Sequence, residues 1–177
     1  MKKLIYTALG FAFLLSIQSC LDEGKAKYMD EKTLVDDGGI ALIHNGLEGG
    51  LTEIKASTLA EKNSTNPDVV SFAKMMIADH SKADSTLLWM EDDKLMTEAD
   101  TITAEHQEII DSLATKTGPA FDKAYLAMMI ADHEEAVDLF TEQSNDKNET
   151  IQDFARNTLP TIQMHLDKAK ELAASLK

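Results

Sequence analysis

Apolar residues recur along this chain at alternating steps of three and four, the spacing that lays a single stripe down an α-helix. Ala73, Met76, His80, Ala83 and Leu87 form one stripe, and Leu126, Met129, His133, Ala136 and Phe140 form a second. Ile151, Ala155, Ile162, His165, Ala169, Leu172 and Leu176 form a third. A fourth, over Gly39, Leu42, Gly46, Gly49, Glu53, Ala56 and Ala60, is unusually small, and Glu53 is its only charge. These stripes predict helices over 33–62, 67–94, 120–145 and 150–176, with a shorter helical stretch over 103–115.

The breaks between stripes agree. Asn63-Ser64-Thr65-Asn66-Pro67 ends the first helix, with Asn66 suited to cap the second and Pro67 to its first turn. Gly118-Pro119 closes a long connection, and Ser144 to Asn148 reads as a turn. Pro160 lies within the last pattern and should kink that helix rather than end it. Four long helices, two short turns and one long crossover carrying a short extra helix predict an all-α, ferritin-like four-helix bundle. Met-Met-Ile-Ala-Asp-His occurs at 75–80 and again at 128–133, so the second and third long helices share one design.

Three of the five histidines fall on the stripes rather than on wet faces. At ~1.5 Å of rise per residue, Glu53 and His80 lie at similar heights across the first hairpin, as do His133 and His165 across the second. One carboxylate and three imidazoles, one per helix, therefore converge on the bundle interior. A buried carboxylate demands a partner. A divalent ion ligated by Glu53, His80, His133 and His165 would supply it, and nitrogen and oxygen donors without thiolate suit Zn, Mn, Fe, Cu or Ni. Asp79 and Asp132 each precede a stripe histidine and are candidates to hold a ring N–H or an outer water behind the ligands. The plainer alternative is a Glu–His hydrogen-bond network that fixes the core without metal. His44 and His106 lie off the stripes and read as surface or edge residues, and the paired methionines 75–76 and 128–129 as core filler.

Charge and composition narrow the setting. The net charge is −14, and Arg156 is the sole arginine among 17 cationic residues, which argues against nucleic acid and against bidentate phosphate clamps. A single cysteine rules out an intrachain disulfide or a thiolate-rich zinc site. That cysteine, Cys20, follows Lys2, Lys3, the apolar run Leu4–Leu15 and Ile17-Gln18-Ser19. This resembles a bacterial lipobox, which implies cleavage before Cys20 and its lipidation, hence membrane attachment without a spanning helix. Residues 1–19 then form a lipoprotein signal peptide, 20–32 a tether and 33–177 the bundle. Leu21 after the cysteine resembles outer-membrane sorting in Gram-negative bacteria, facing the periplasm or the cell surface.

The chain also resembles the bacterial domain-of-unknown-function family DUF4142, often described as outer-membrane proteins of ferritin-like fold. The resemblance rests on Glu48-Gly49-Gly50-Leu51-Thr52-Glu53-Ile54, on Phe72-Ala73 through Asp79-His80, and on Gly118 with Phe121 to Leu126. It continues at His133 and at Phe154 to Pro160 with His165-Leu166. It implies a helical bundle and an envelope location, and no particular activity. The Glu-x-x-His pairs of di-iron ferritin-like enzymes are missing, so a single ion or none fits better than a dinuclear centre. Three functions follow: a lipid-anchored metal-binding bundle, an envelope interaction module with a histidine core network, or an enzyme using the ion as a Lewis acid, which needs an open coordination position and a pocket.

Overall fold

The computed structural model describes residues 35–93 and 101–176. Five helices follow in order: α1 (Asp37–Asn63), α2 (Pro67–Asp93), α3 (Ala104–Ala114), α4 (Gly118–Gln143) and α5 (Glu149–Ser175). The signal sequence, Cys20 and the tether expected from the sequence lie outside the described residues. No helix among the described residues is long and apolar enough to cross a membrane.

Local chemistry sets the helix ends. Asp36 accepts a hydrogen bond from Gly39 N at 3.0 Å, so α1 begins four residues later than its pattern suggested. Asn66 Oδ1 accepts from Asp68 N at 2.9 Å and caps α2, as the sequence predicts. Thr103 Oγ1 caps α3 through His106 N, and Asn148 caps α5 through Thr150 N and Ile151 N. Each such cap satisfies an amide the helix cannot and contributes about 1 kcal/mol. Gly118 has φ of 57°, in the left-handed region that side chains resist, and lets the chain turn sharply from α3 into α4. Helix α5 continues through Pro160, and Leu166 and Leu172 beyond it remain buried.

The hairpins α1–α2 and α4–α5 pack side by side, with α1 also against α4 and α2 against α5. The result is a four-helix bundle, and α3 lies in the crossover against α1 and α4. The apolar interior divides in two. Toward the α1–α2 turn lie Phe72, Met76, Phe121, Tyr125, Leu126 and Met129, among others. Toward the opposite end lie Leu42, Leu47, Leu87, Phe140, Ile151 and Ile162. Between these clusters the stripes carry Glu53, His80, His133 and His165, so the polar layer is clamped by apolar packing above and below. One buried hydrogen bond, Ser57 to Tyr125 at 2.8 Å, ties α1 to α4 just below this layer. Arg156 donates to Ser144 O at 2.7 Å, so the sole arginine braces the α4–α5 turn.

Candidate metal centre

Four helices each deliver one side chain to mid-bundle: Glu53 from α1, His80 from α2, His133 from α4 and His165 from α5. Glu53, His133 and His165 are 4%, 1% and 2% exposed, and burial at that level makes every polar contact count. Glu53 Oε1 lies 3.0 Å from His133 Nδ1, and Oε2 lies 2.8 Å from His80 Nε2. The second contact is close but poorly aligned, and by hydrogen-bond geometry His80 Nε2 has no partner.

The outer contacts fix the rings. His133 Nδ1 also meets Met129 O at 2.9 Å. A carbonyl only accepts, so Nδ1 carries a proton, and whenever the ring is neutral Nε2 carries the lone pair. His165 Nε2 meets Asp79 Oδ2 at 2.9 Å. That places the proton on Nε2 and a lone pair on Nδ1. His133 Nε2 and His165 Nδ1 face each other at 3.4 Å, a hydrogen bond when one of them carries a proton and two lone pairs open to a cation when neither does. Two acceptors at that distance repel unless a cation or a shared proton sits between them. Burial and the neighbouring His80 and His133 hold the His165 imidazolium below its ordinary range, despite Asp79.

Ring nitrogens of His80, His133 and His165 lie within 4.8 Å of one another. Tetrahedral ligation at 2.0–2.1 Å sets ligand nitrogens ~3.3 Å apart. The His133–His165 pair already stands at that spacing, and His80 would close the remaining gap by a small ring movement. The donor set thus fits a three-histidine transition-metal site. Glu53 sits behind two of the rings.

Without an ion the cluster is electrostatically polarised. Burial opposes ionisation of Glu53, yet His80 and His133 beside it hold its carboxyl well below the usual carboxylate range. Burial likewise opposes the charged form of His80, but Glu53, with Asp84 and Asp79, lifts it above its ordinary value.

The carboxylates behind the ligands are arranged differently from the sequence expectation. Asp79 serves the ring of His165 across the α2–α5 interface rather than its neighbour His80. Asp132 takes neither nitrogen of His133, since Glu53, Met129 O and His165 occupy them. Instead Asp132 lines a cleft, where burial and the nearby Glu53 push its carboxyl up to about 7.

That cleft, of about 430 Å³, reaches Glu53, His80 and His133 from the surface. His106 forms part of its wall, which corrects the expectation of a bland edge residue. Its Nδ1 contacts both oxygens of Glu48 at 2.7 and 2.8 Å, and Thr103 N donates to the same carboxylate at 2.7 Å. This pin holds α3 to α1. In the sequence Glu48 stood only as the first residue of the Glu48–Ile54 resemblance, and His106 only as an off-stripe histidine. His44 is half-buried and takes no part.

No curated protein matches the chain. A crystal structure of a DUF305 fragment from Deinococcus radiodurans superposes with a TM-score of 0.71, covering 80% of this chain and 98% of that one at 14% identity. At that identity the likeness is one of fold, and it supports the helical bundle. Residues 28–172 match the domain of unknown function DUF4142, a span holding all five helices up to Leu172 and the whole Glu–His layer, and the chain belongs to that family.

Proposed function

We propose that this protein is a lipid-anchored helical bundle of the bacterial envelope that binds one transition-metal ion through His80, His133 and His165. Glu53 and Asp79 orient the rings from behind. The observation that carries the reading is the convergence of His80, His133 and His165, whose ring nitrogens lie within 4.8 Å of one another, with His133 Nε2 and His165 Nδ1 3.4 Å apart. Zn, Mn, Fe, Cu and Ni are the candidates for the ion, with nitrogen-only ligation favouring Zn, Cu or Ni over Mn.

Metal content of protein purified without chelator tests the site. About one ion per chain, with a melting temperature that falls on chelation and recovers on re-addition, is the expected result. His133→Ala should remove both the ion and the chelator response. Metal-free protein whose melting temperature ignores all five ions would favour the alternative, an envelope interaction module whose histidines serve the core alone.

The anchor rests on Cys20 and the sequence before it. Cys20→Ala should move the protein from the membrane fraction to the soluble fraction. A wild type with no acyl group by mass spectrometry would refute the anchor while leaving the metal reading intact.

A further inference from the structure

The cleft beside the histidines has a chemistry of its own. Among the described residues no Lys or Arg lines it. Its carboxylates divide by commitment: Glu53 is held by His80 and His133, and Glu48 by His106. Asp132 and Glu135, on α4, enter no ion pair among the described residues, and both line the cleft. Leu87, Leu139, Phe140, Phe154 and Ile162 give it an apolar lining as well. Its volume of about 430 Å³ lies within the range of small-molecule sites.

The cleft is kept open by the sequence. Gly46, Gly49 and Gly50 of α1 all line it. A Cβ built on Gly49 would meet nothing within 4 Å, so space remains where a side chain could stand. A helix loses roughly 1 kcal/mol for each glycine in its interior relative to alanine. At Gly49, where no neighbour forbids a larger residue, that loss has no packing cause, and an open cleft accounts for it.

We infer that this cleft binds an organic amine. The ammonium sits on Asp132, and an apolar body lies against Phe140 and Phe154. Asp132 and Glu135, which enter no ion pair among the described residues, disfavour an anion, and an inorganic cation would leave the apolar lining wet. The aromatic rings also favour a neighbouring cation through their negative faces. The inference stands apart from the metal reading, because no part of it uses the ring nitrogens as ligands.

Three probes of one shape separate the terms: phenethylamine, 2-phenylethanol and phenylacetate, titrated calorimetrically into the full chain. Phenethylamine should bind about tenfold or more tighter than the alcohol, and phenylacetate should not bind measurably. Gly49→Phe places a ring in the cleft and should abolish amine binding, with metal content followed in the same sample because Glu53, His80 and His133 share the cleft's lining. Asp132→Asn should bring the amine down to the affinity of the alcohol. Phenylacetate binding as tightly as the amine, or unchanged amine binding in Gly49→Phe, would overturn the proposal. Metal content in the same samples reports on the metal site separately, so either reading can fail alone.

Discussion

His165 and Asp79 are 86 residues apart in sequence, yet their side chains meet at 2.9 Å across the α2–α5 interface. The contact fixes which nitrogen of His165 points inward. It does so from a half-exposed carboxylate, so the group that sets the tautomer lies toward the surface and the lone pair toward the core. Partners of this kind typically account for ten- to a hundredfold in metal affinity. Asp79→Ala should therefore weaken metal binding by about that factor while the bundle stays folded, as read by competition with a chromophoric chelator. Affinity equal to wild type would mean that His165 is oriented by packing alone.

Glu53 is the buried anion on which the metal-free cluster depends. Removing one partner of a buried pair costs about 3–5 kcal/mol when the other charge stays behind. Here His80 can shed its proton, so Glu53→Ala should sit near the low end, about 3 kcal/mol by urea denaturation in chelator. The same variant should lower the titration point of His80, because Glu53 is what raises it against burial. An NMR titration of His80 unmoved by the substitution would show that the 2.8 Å contact carries no charge coupling.

The bundle and the polar layer were legible for one reason: both are periodic. Steps of three and four place Glu53, His80, His133 and His165 on inward faces, and helix lengths place them at one height. What periodicity could not give is the rotation of one helix against another. Asp79 precedes His80, and the sequence does not say which ring it meets. The twist of α2 turns Asp79 outward toward α5, where it meets His165. Asp132 follows the same logic and faces the cleft. The Glu48–His106 pin was hidden for a different reason: it depends on where the crossover lays α3, and no repeat encodes that. The glycines of α1 allow close approach of α2 at Gly46 and Gly50, where a Cβ would strike Leu87 and Asp84. At Gly49 the same composition marks a void.

Neighbouring glycines should thus respond with opposite sign. Gly49→Ala adds a methyl to open space and should stabilise the fold by up to ~1 kcal/mol, the helix-propensity gain. Gly50→Ala drives its methyl into the carboxylate of Asp84, one turn beyond His80. Asp84 must swing away, so the propensity gain should be cancelled and the net effect destabilising. Thermal melts of the two variants side by side decide the matter. Equal shifts would mean that the α1–α2 contact yields freely.

The pin between α3 and α1 should depend on pH in a defined window. Burial opposes the charge on His106, but its hydrogen bond and ion pair with Glu48, with Asp132 and Glu105 nearby, raise it above its ordinary 6.5. A group raised on folding contributes stability that is whole below its unfolded value and fades as pH climbs through the folded one. Glu48 is the opposite case: against burial, Thr103 N and His106 hold it below its ordinary 4.5. Its contribution is whole above that value and fades as pH falls through the depressed one. The two conditions overlap between 4.5 and 6.5, where docking of α3 should be firmest. Asp132 ionises near 7 and adds negative charge beside His106, which prolongs the upper edge rather than sharpening it. Hydrogen-exchange protection of Ile109 and Ile110 should accordingly decline on the alkaline side, while Tyr125 in the core stays protected. Glu48→Gln should lower α3 protection at mildly acidic pH and flatten its dependence. Protection of α3 that is constant in the wild type from mildly acidic to alkaline pH would show that apolar packing of Ile110 and Leu113 holds the helix without the pin.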